Sequence, residues 1–174
     1  MFERLKKLSE KIKAFFIKKT KEPYPFGGRT PLEIMREYFG NLGEKDAAFT
    51  LLKKDERGEE YKVQTEGREW RAYYTVKNDV RGGVQHKTVH SCKVIAGRVF
   101  WHVLKPCTSC PAGRVEDRRI CKAGELIKTP PETPHFMISI GDPSITVEWL
   151  ESAGWEQADF AEYKAMVERP LSDA

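Results

Sequence analysis

The chain has four histidines, His86, His90, His102 and His135, all between positions 86 and 135. Imidazole is an acid/base group near neutral pH and a ready ligand for divalent transition metals, so this cluster is the first place to look for chemistry. His86 and His90 fall in a stretch, 85–95, that reads as one strand. Their equal parity would put them on one face with Thr88, Cys92 and Val94. His135 follows Thr129-Pro130-Pro131-Glu132-Thr133-Pro134, a stiff turn that would present it at a strand start as a third ligand. A tight turn at Ala96-Gly97 would place Trp101, rather than His102, on the Val94 face, so His102 is expected to stand apart. Such a trio either holds a metal or stays metal-free, with interior imidazoles that hydrogen-bond a ligand and transfer protons.

The four cysteines offer a second set of ligands. Cys107 and Cys110 form a CxxC with Pro111 and Gly113 beyond it, and Cys121 could return alongside on the next strand. The open readings are inert thiols, a structural metal clip of Cys107, Cys110 and Cys121, and a redox pair. Arg114, Arg118 and Arg119 could meet an anionic substrate at a pocket mouth, with Trp101 lining it, or could form a solvated strand face. The sequence contains no P-loop, dinucleotide-binding glycine pattern, Gly-x-Ser-x-Gly elbow or second CxxC.

The elements that must position these residues are mostly strands. Short runs rich in Thr, Val, Tyr, Trp and Ile, broken by Gly, Pro and charged turns, are predicted at 48–53, 60–65, 69–77, 85–95, 98–105, 114–121, 125–129, 135–140 and 145–151. This series implies a mainly β barrel or sandwich over 48–151. A linker and short helix occupy 23–47, with Thr30 as N-cap, Pro31 at the first helical position and Gly40 or Gly43 at the end. Residues 152–174 read as a closing helix, 155–167, and a tail.

Residues 2–19 read as an amphipathic helix with Phe2, Leu5, Leu8, Ile12, Phe15 and Phe16 on one stripe. Residues 1–22 carry eight Lys/Arg and three Glu, so the net charge of +4 leaves −1 for everything after them. A body at −1 lacks the basic excess that phosphate-backbone binding needs, and nucleic acid is therefore not expected as a partner. The basic helix would dock on an anionic membrane surface or a protein, or pack on its own domain or a second subunit. No run approaches the roughly 20 apolar residues of a membrane span, and no secretory leader is legible. The expected location is cytoplasmic, in part membrane-peripheral, where cysteines stay free or bind metal.

In the stretch that holds these histidines the chain resembles the cupin superfamily, the RmlC-like double-stranded β-helix barrels. Gly124, Pro130, Glu132, His135 and Ser139 stand at the spacings of the second cupin motif; Val84, His86, His90 and Gly97 occupy those of the first. The resemblance covers roughly residues 67–151. It implies a cupin-like β-barrel flanked by N-terminal and C-terminal helices, a small-molecule ligand inside it and a homodimer. At the matching positions it implies His86 and His135 as metal ligands, with His90, which stands where glutamate is usual, as a third. Three neutral imidazoles would leave a divalent ion its full +2 charge, similar to the all-histidine iron centres of thiol dioxygenases. Iron or zinc is the expected metal, with manganese and nickel as further candidates. The resemblance thus implies a metalloenzyme of oxygenase, lyase or isomerase type. Its alternatives are a metal-free sugar-nucleotide isomerase or epimerase and a non-enzymatic ligand-sensing module.

Overall fold

A computed structural model describes residues 25–111, 113–152, 155–161 and 163. The amphipathic helix expected at 2–19 and the tail from 169 lie outside the described residues. The architecture that follows is that of the compact unit beginning at Pro31.

Helix α1, Pro31–Asn41, starts at the proline as predicted. Ile34, Met35 and Phe39 recur at helical spacing and are buried along one face. Its C-terminus closes as a Schellman motif, in which the Glu44 N–H donates to Phe39 O (2.9 Å) and the Gly43 N–H to Gly40 O (3.1 Å). The Phe39 ring meets Trp70 and Phe49 edge-on, at centroid distances of 5.4 and 5.5 Å, which fixes the helix against the strands.

Eleven strands follow among the described residues. They are β1 (Ala48–Asp55), β2 (Gly58–Thr65), β3 (Arg68–Thr75), β4 (Val80–Gln85), β5 (His90–Ala96), β6 (Arg98–Pro106), β7 (Arg114–Lys122), β8 (Leu126–Thr129), β9 (His135–Ser139), β10 (Ser144–Leu150) and β11 (Ala158–Asp159). They form two antiparallel sheets, ordered β1-β2-β3-β10-β5-β8 and β11-β4-β9-β6-β7. Period-2 burial along β5 and β6 sends Cys92, Val94, Val99, Trp101 and Val103 inward to meet Cys121, Ile127 and Met137 in one core cluster. Trp101 is therefore on the Val94 face and His102 on the other, as the Gly97 turn predicts.

Three expectations are corrected. The stretch 85–95 is two strands, not one: β4 ends at Gln85, β5 begins at His90, and His86 lies in the connection between them. His86 and His90 therefore do not share a face by strand parity. The sequence hides β4 because Gly82-Gly83 reads as a turn, whereas the pairing of β4 with β9 shifts register between Gly82 and Val84. That is a β-bulge, with Gly82 at φ +101° and so close to β9 that an added Cβ would lie 2.9 Å from Phe136 Cα. Lastly, the closing helix does not start at Trp155. Residues 155–157 are neither helix nor strand, β11 pairs with Val84 and Gln85 of β4, and helical residues appear only at Ala161 and Tyr163 among those described. The alternation Trp155, Gln157, Asp159 puts all three on the cavity, a strand periodicity that overrides helical propensity.

Candidate metal centre

His86, His90 and His135 converge although they come from a connection and two different strands. All three are buried, and one ring nitrogen from each lies within 4.8 Å of the others. Their ring centroids are 4.6 Å (His86–His90), 4.6 Å (His90–His135) and 5.3 Å (His86–His135) apart. The second-motif turn carries His135 into place, and Glu132 within it adopts φ +54° where the cupin pattern has a turn glycine. The Glu132 N–H donates to His86 O at 2.7 Å, so the turn that presents His135 also pins the backbone of His86.

Each imidazole is anchored through one nitrogen. His86 Nδ1 lies 2.6 Å from Glu156 O, His135 Nδ1 3.0 Å from Thr133 O, and His90 Nε2 3.0 Å from Glu148 Oε2. A carbonyl can only accept, so Nδ1 of His86 and of His135 carries the proton; Nε2 of His90 does so while Glu148 is ionised, and the opposite nitrogen of each ring then keeps its lone pair. His86 Nε2 and His90 Nδ1 are buried with no protein partner. Burial pushes all three histidines below the usual imidazole range, His90 well below it and His135 to about 3, with the neighbouring imidazoles adding to the effect on His90 and His135. They are neutral in the folded protein, the form that ligates metal.

Glu148 on β10 is the residue that the sequence does not single out. It is buried, and burial raises its carboxyl above the ordinary range despite the nearby histidines. It also accepts from Thr146 Oγ1 at 3.3 Å. The carboxylate missing from the first motif is thus replaced by one beside His90 rather than in its place. Trp155 packs on His86 at 5.4 Å, and Trp101 stacks on His135 at 5.3 Å. These rings exclude water from two sides of the trio.

His86 and His135 open onto a cavity of about 510 Å³, lined also by Trp101, Glu148, Arg81 and Asp55; His90 lies behind them, outside its lining. Of the substrate-binding residues expected from sequence, only Trp101 lines it. Arg114 and Arg119 are corrected. Both are exposed on β7, an edge strand; Arg114 lies over Phe160 at 5.0 Å, and Arg119, opposite Trp101, borders a separate cavity of about 80 Å³. Arg118 is exposed too, paired with Glu116 and donating to His102 Nε2 at 3.4 Å. His102 packs against Phe136 and Tyr163, apart from the trio.

The cysteine clip is corrected as well. Cys107 and Cys110 are joined as a disulfide, a state compatible with the redox-pair reading and not with inert free thiols or a metal clip, while Cys121 and Cys92 are free and buried. Cys121 pairs with Val99 at the far end of the β6–β7 hairpin from Cys107, so one ion cannot reach all three. The histidine trio is the one metal-competent group of this kind among the described residues.

No family model matches the sequence, and no curated protein matches it. Solved structures do match. The capsular polysaccharide assembling protein CapF of Staphylococcus aureus is 13% identical, with TM-score 0.53 over 64% of this chain and 34% of that one. Vicilin of hazelnut, Corylus avellana, is 12% identical, with TM-score 0.55 over 63% and 34%. A mutant of Bacillus subtilis oxalate decarboxylase is 12% identical, with TM-score 0.52 over 70% and 32%. This chain spans about a third of the length of each of these proteins. They are cupin-fold proteins, and this protein has the cupin fold. On that fold it carries three anchored histidines and a buried glutamate on β10.

Proposed function

We propose that the protein binds one divalent transition metal through His86, His90 and His135, and that the centre acts on a small molecule held in the 510 Å³ cavity. One observation carries this reading: three buried neutral imidazoles are each fixed through one nitrogen, and two of them, His86 and His90, hold their other nitrogen buried with no protein partner. An orphaned buried polar atom costs about 1–3 kcal/mol, and a metal ion would satisfy both at once. Anchoring of this kind orients histidine ligands and raises their basicity. Iron and zinc both suit an all-nitrogen donor set. The bound ion would supply Lewis-acid polarisation of a substrate oxygen. Trp101 and Trp155 would keep bulk water away, and Glu148, on the cavity wall with a raised pKa, would take or give a proton. An oxygenase, lyase or isomerase is compatible with that division of labour.

The test is elemental analysis of full-length protein purified without a histidine tag. The reading predicts close to one metal ion per chain. Absence of stoichiometric metal after growth and reconstitution with iron, zinc, manganese and nickel would overturn it.

A further inference from the structure

We infer that Arg81 is the anion-binding residue of the cavity and that the ligand is a small monocarboxylate bridging Arg81 and the histidine centre. The inference rests on the reading of the cavity as the ligand site and deepens it to a substrate class.

Arg81 is only 6% exposed, yet its guanidinium is poorly satisfied. Nε has no partner, Nη2 reaches Tyr74 O at 3.5 Å, and the nearest carboxylate oxygen, Asp55 Oδ1, is 3.9 Å away. Asp55 is already committed elsewhere. It accepts from Arg57 Nη2 at 2.9 Å, Arg57 Nε at 3.2 Å and the Arg57 backbone N–H at 3.0 Å, and it pairs with Lys53 at 3.0 Å. Glu60, which also lines the cavity, acts on Arg81 only through space. A guanidinium offers five donors in a planar fork, and burying one with so few acceptors is costly unless a ligand completes it. Trp101 adds a second orphaned donor on the same cavity, its Nε1.

The β-bulge explains how Arg81 reaches this position. Arg81 opposes Met137 and Val84 opposes His135, so three steps along β4 match two along β9. In a regular strand residues three apart face opposite ways; the bulge lets both Arg81 and Val84 line the cavity. Met137 and His135 are two residues apart on one face of β9, which sets the Arg81 backbone about 7 Å along the strand from that of His135. A carboxylate matches the planar fork bidentately. With Lys53, Arg57 and Arg81 set against Asp55, Glu56 and Glu60, the charged lining at this end is balanced, which favours a ligand of one negative charge over a doubly charged phosphate ester.

The experiment is titration calorimetry on the metal-loaded full chain with 2-oxobutyrate, 3-hydroxybutyrate and 4-hydroxybutyrate, each beside its primary amide, and with inorganic phosphate. At least one carboxylate should bind about tenfold or more tightly than its amide and than phosphate, a preference that Arg81→Gln abolishes and Arg81→Lys retains only in part. Arg114→Gln and Arg119→Gln should leave it unchanged. Equal binding of acid and amide, tighter binding of phosphate, no binding of any carboxylate, or a preference that survives Arg81→Gln would each overturn the inference. Because acid and amide are compared on the unmutated chain, poor folding of a variant does not rescue it. Metal content read on the same samples separates the two proposals: a metal-free chain that still prefers the acid through Arg81 removes the metal centre and keeps this subsite.

Discussion

Two regions gather residue types that bind metals, and they end in opposite states. Cys107 and Cys110 are neighbours in sequence, sit at a hairpin turn and satisfy each other as a disulfide. His86, His90 and His135 are spread over the barrel, yet they are buried together, and His86 Nε2 and His90 Nδ1 have no protein partner. The difference shows that short spacing is a poor guide to a ligand set. What matters is whether the fold buries the donors around a common point and fixes each from behind. The histidines receive that support from Glu148, Thr133 and Glu156; the cysteines lie at an open turn.

The sharpest way to break this contrast is to remove ligands on one side. His90→Ala with His135→Ala should abolish stoichiometric metal, measured by elemental analysis, whereas Cys107→Ser with Cys110→Ser should leave it intact. A loss of metal in the cysteine pair instead would reverse the comparison. Next in size is Glu148→Gln, which keeps a hydrogen-bond acceptor for His90 but removes the charge. Metal affinity, read by competition with a chromophoric chelator, should fall about 10- to 100-fold, as for other partners that orient a metal-bound histidine.

Acid should sharpen the contrast in the metal-free protein. The three histidines are held below their unfolded value of 6.5, His135 to about 3, so on acidification the unfolded chain takes up protons first. Stability is therefore full above about pH 6.5 and falls as pH drops toward 3, by up to about 1.4 kcal/mol per pH unit for each imidazole still neutral in the fold. Urea unfolding at pH 7.5 and 5.0 checks this, and equal midpoints would contradict it. The smallest effect belongs to the disulfide. It closes a loop of so few residues that reduction should cost at most about 2 kcal/mol of unfolding free energy, seen as a modest drop in melting temperature.

The barrel was legible because strand patterning and the Gly124–His135 turn are local. The turn predicted for His135 and the Trp101 side of β6 follow from the same short-range reasoning. His86 reached the right place for a different reason than expected, since the connection after a bulged β4, not shared strand parity, brings it to His90. A glycine pair looks like a turn unless the close approach of β9 is known. Glu148 and Glu156 lie 58 and 70 residues from the histidines they hold. One of those contacts uses a backbone carbonyl, which has no signature in sequence. Arg81 was outcompeted by Arg114 and Arg119 because side-chain type alone does not tell a cavity wall from an exposed edge strand.

A crystal structure of the metal-loaded protein, with anomalous data collected at the absorption edge of the metal, tests the central claim most directly. The account predicts one peak among the three histidines, with His86 Nε2, His90 Nδ1 and His135 Nε2 each about 2.0–2.2 Å from it. A peak at Cys107 or on the surface, or an ion that leaves any of the three imidazoles unbound, would contradict it.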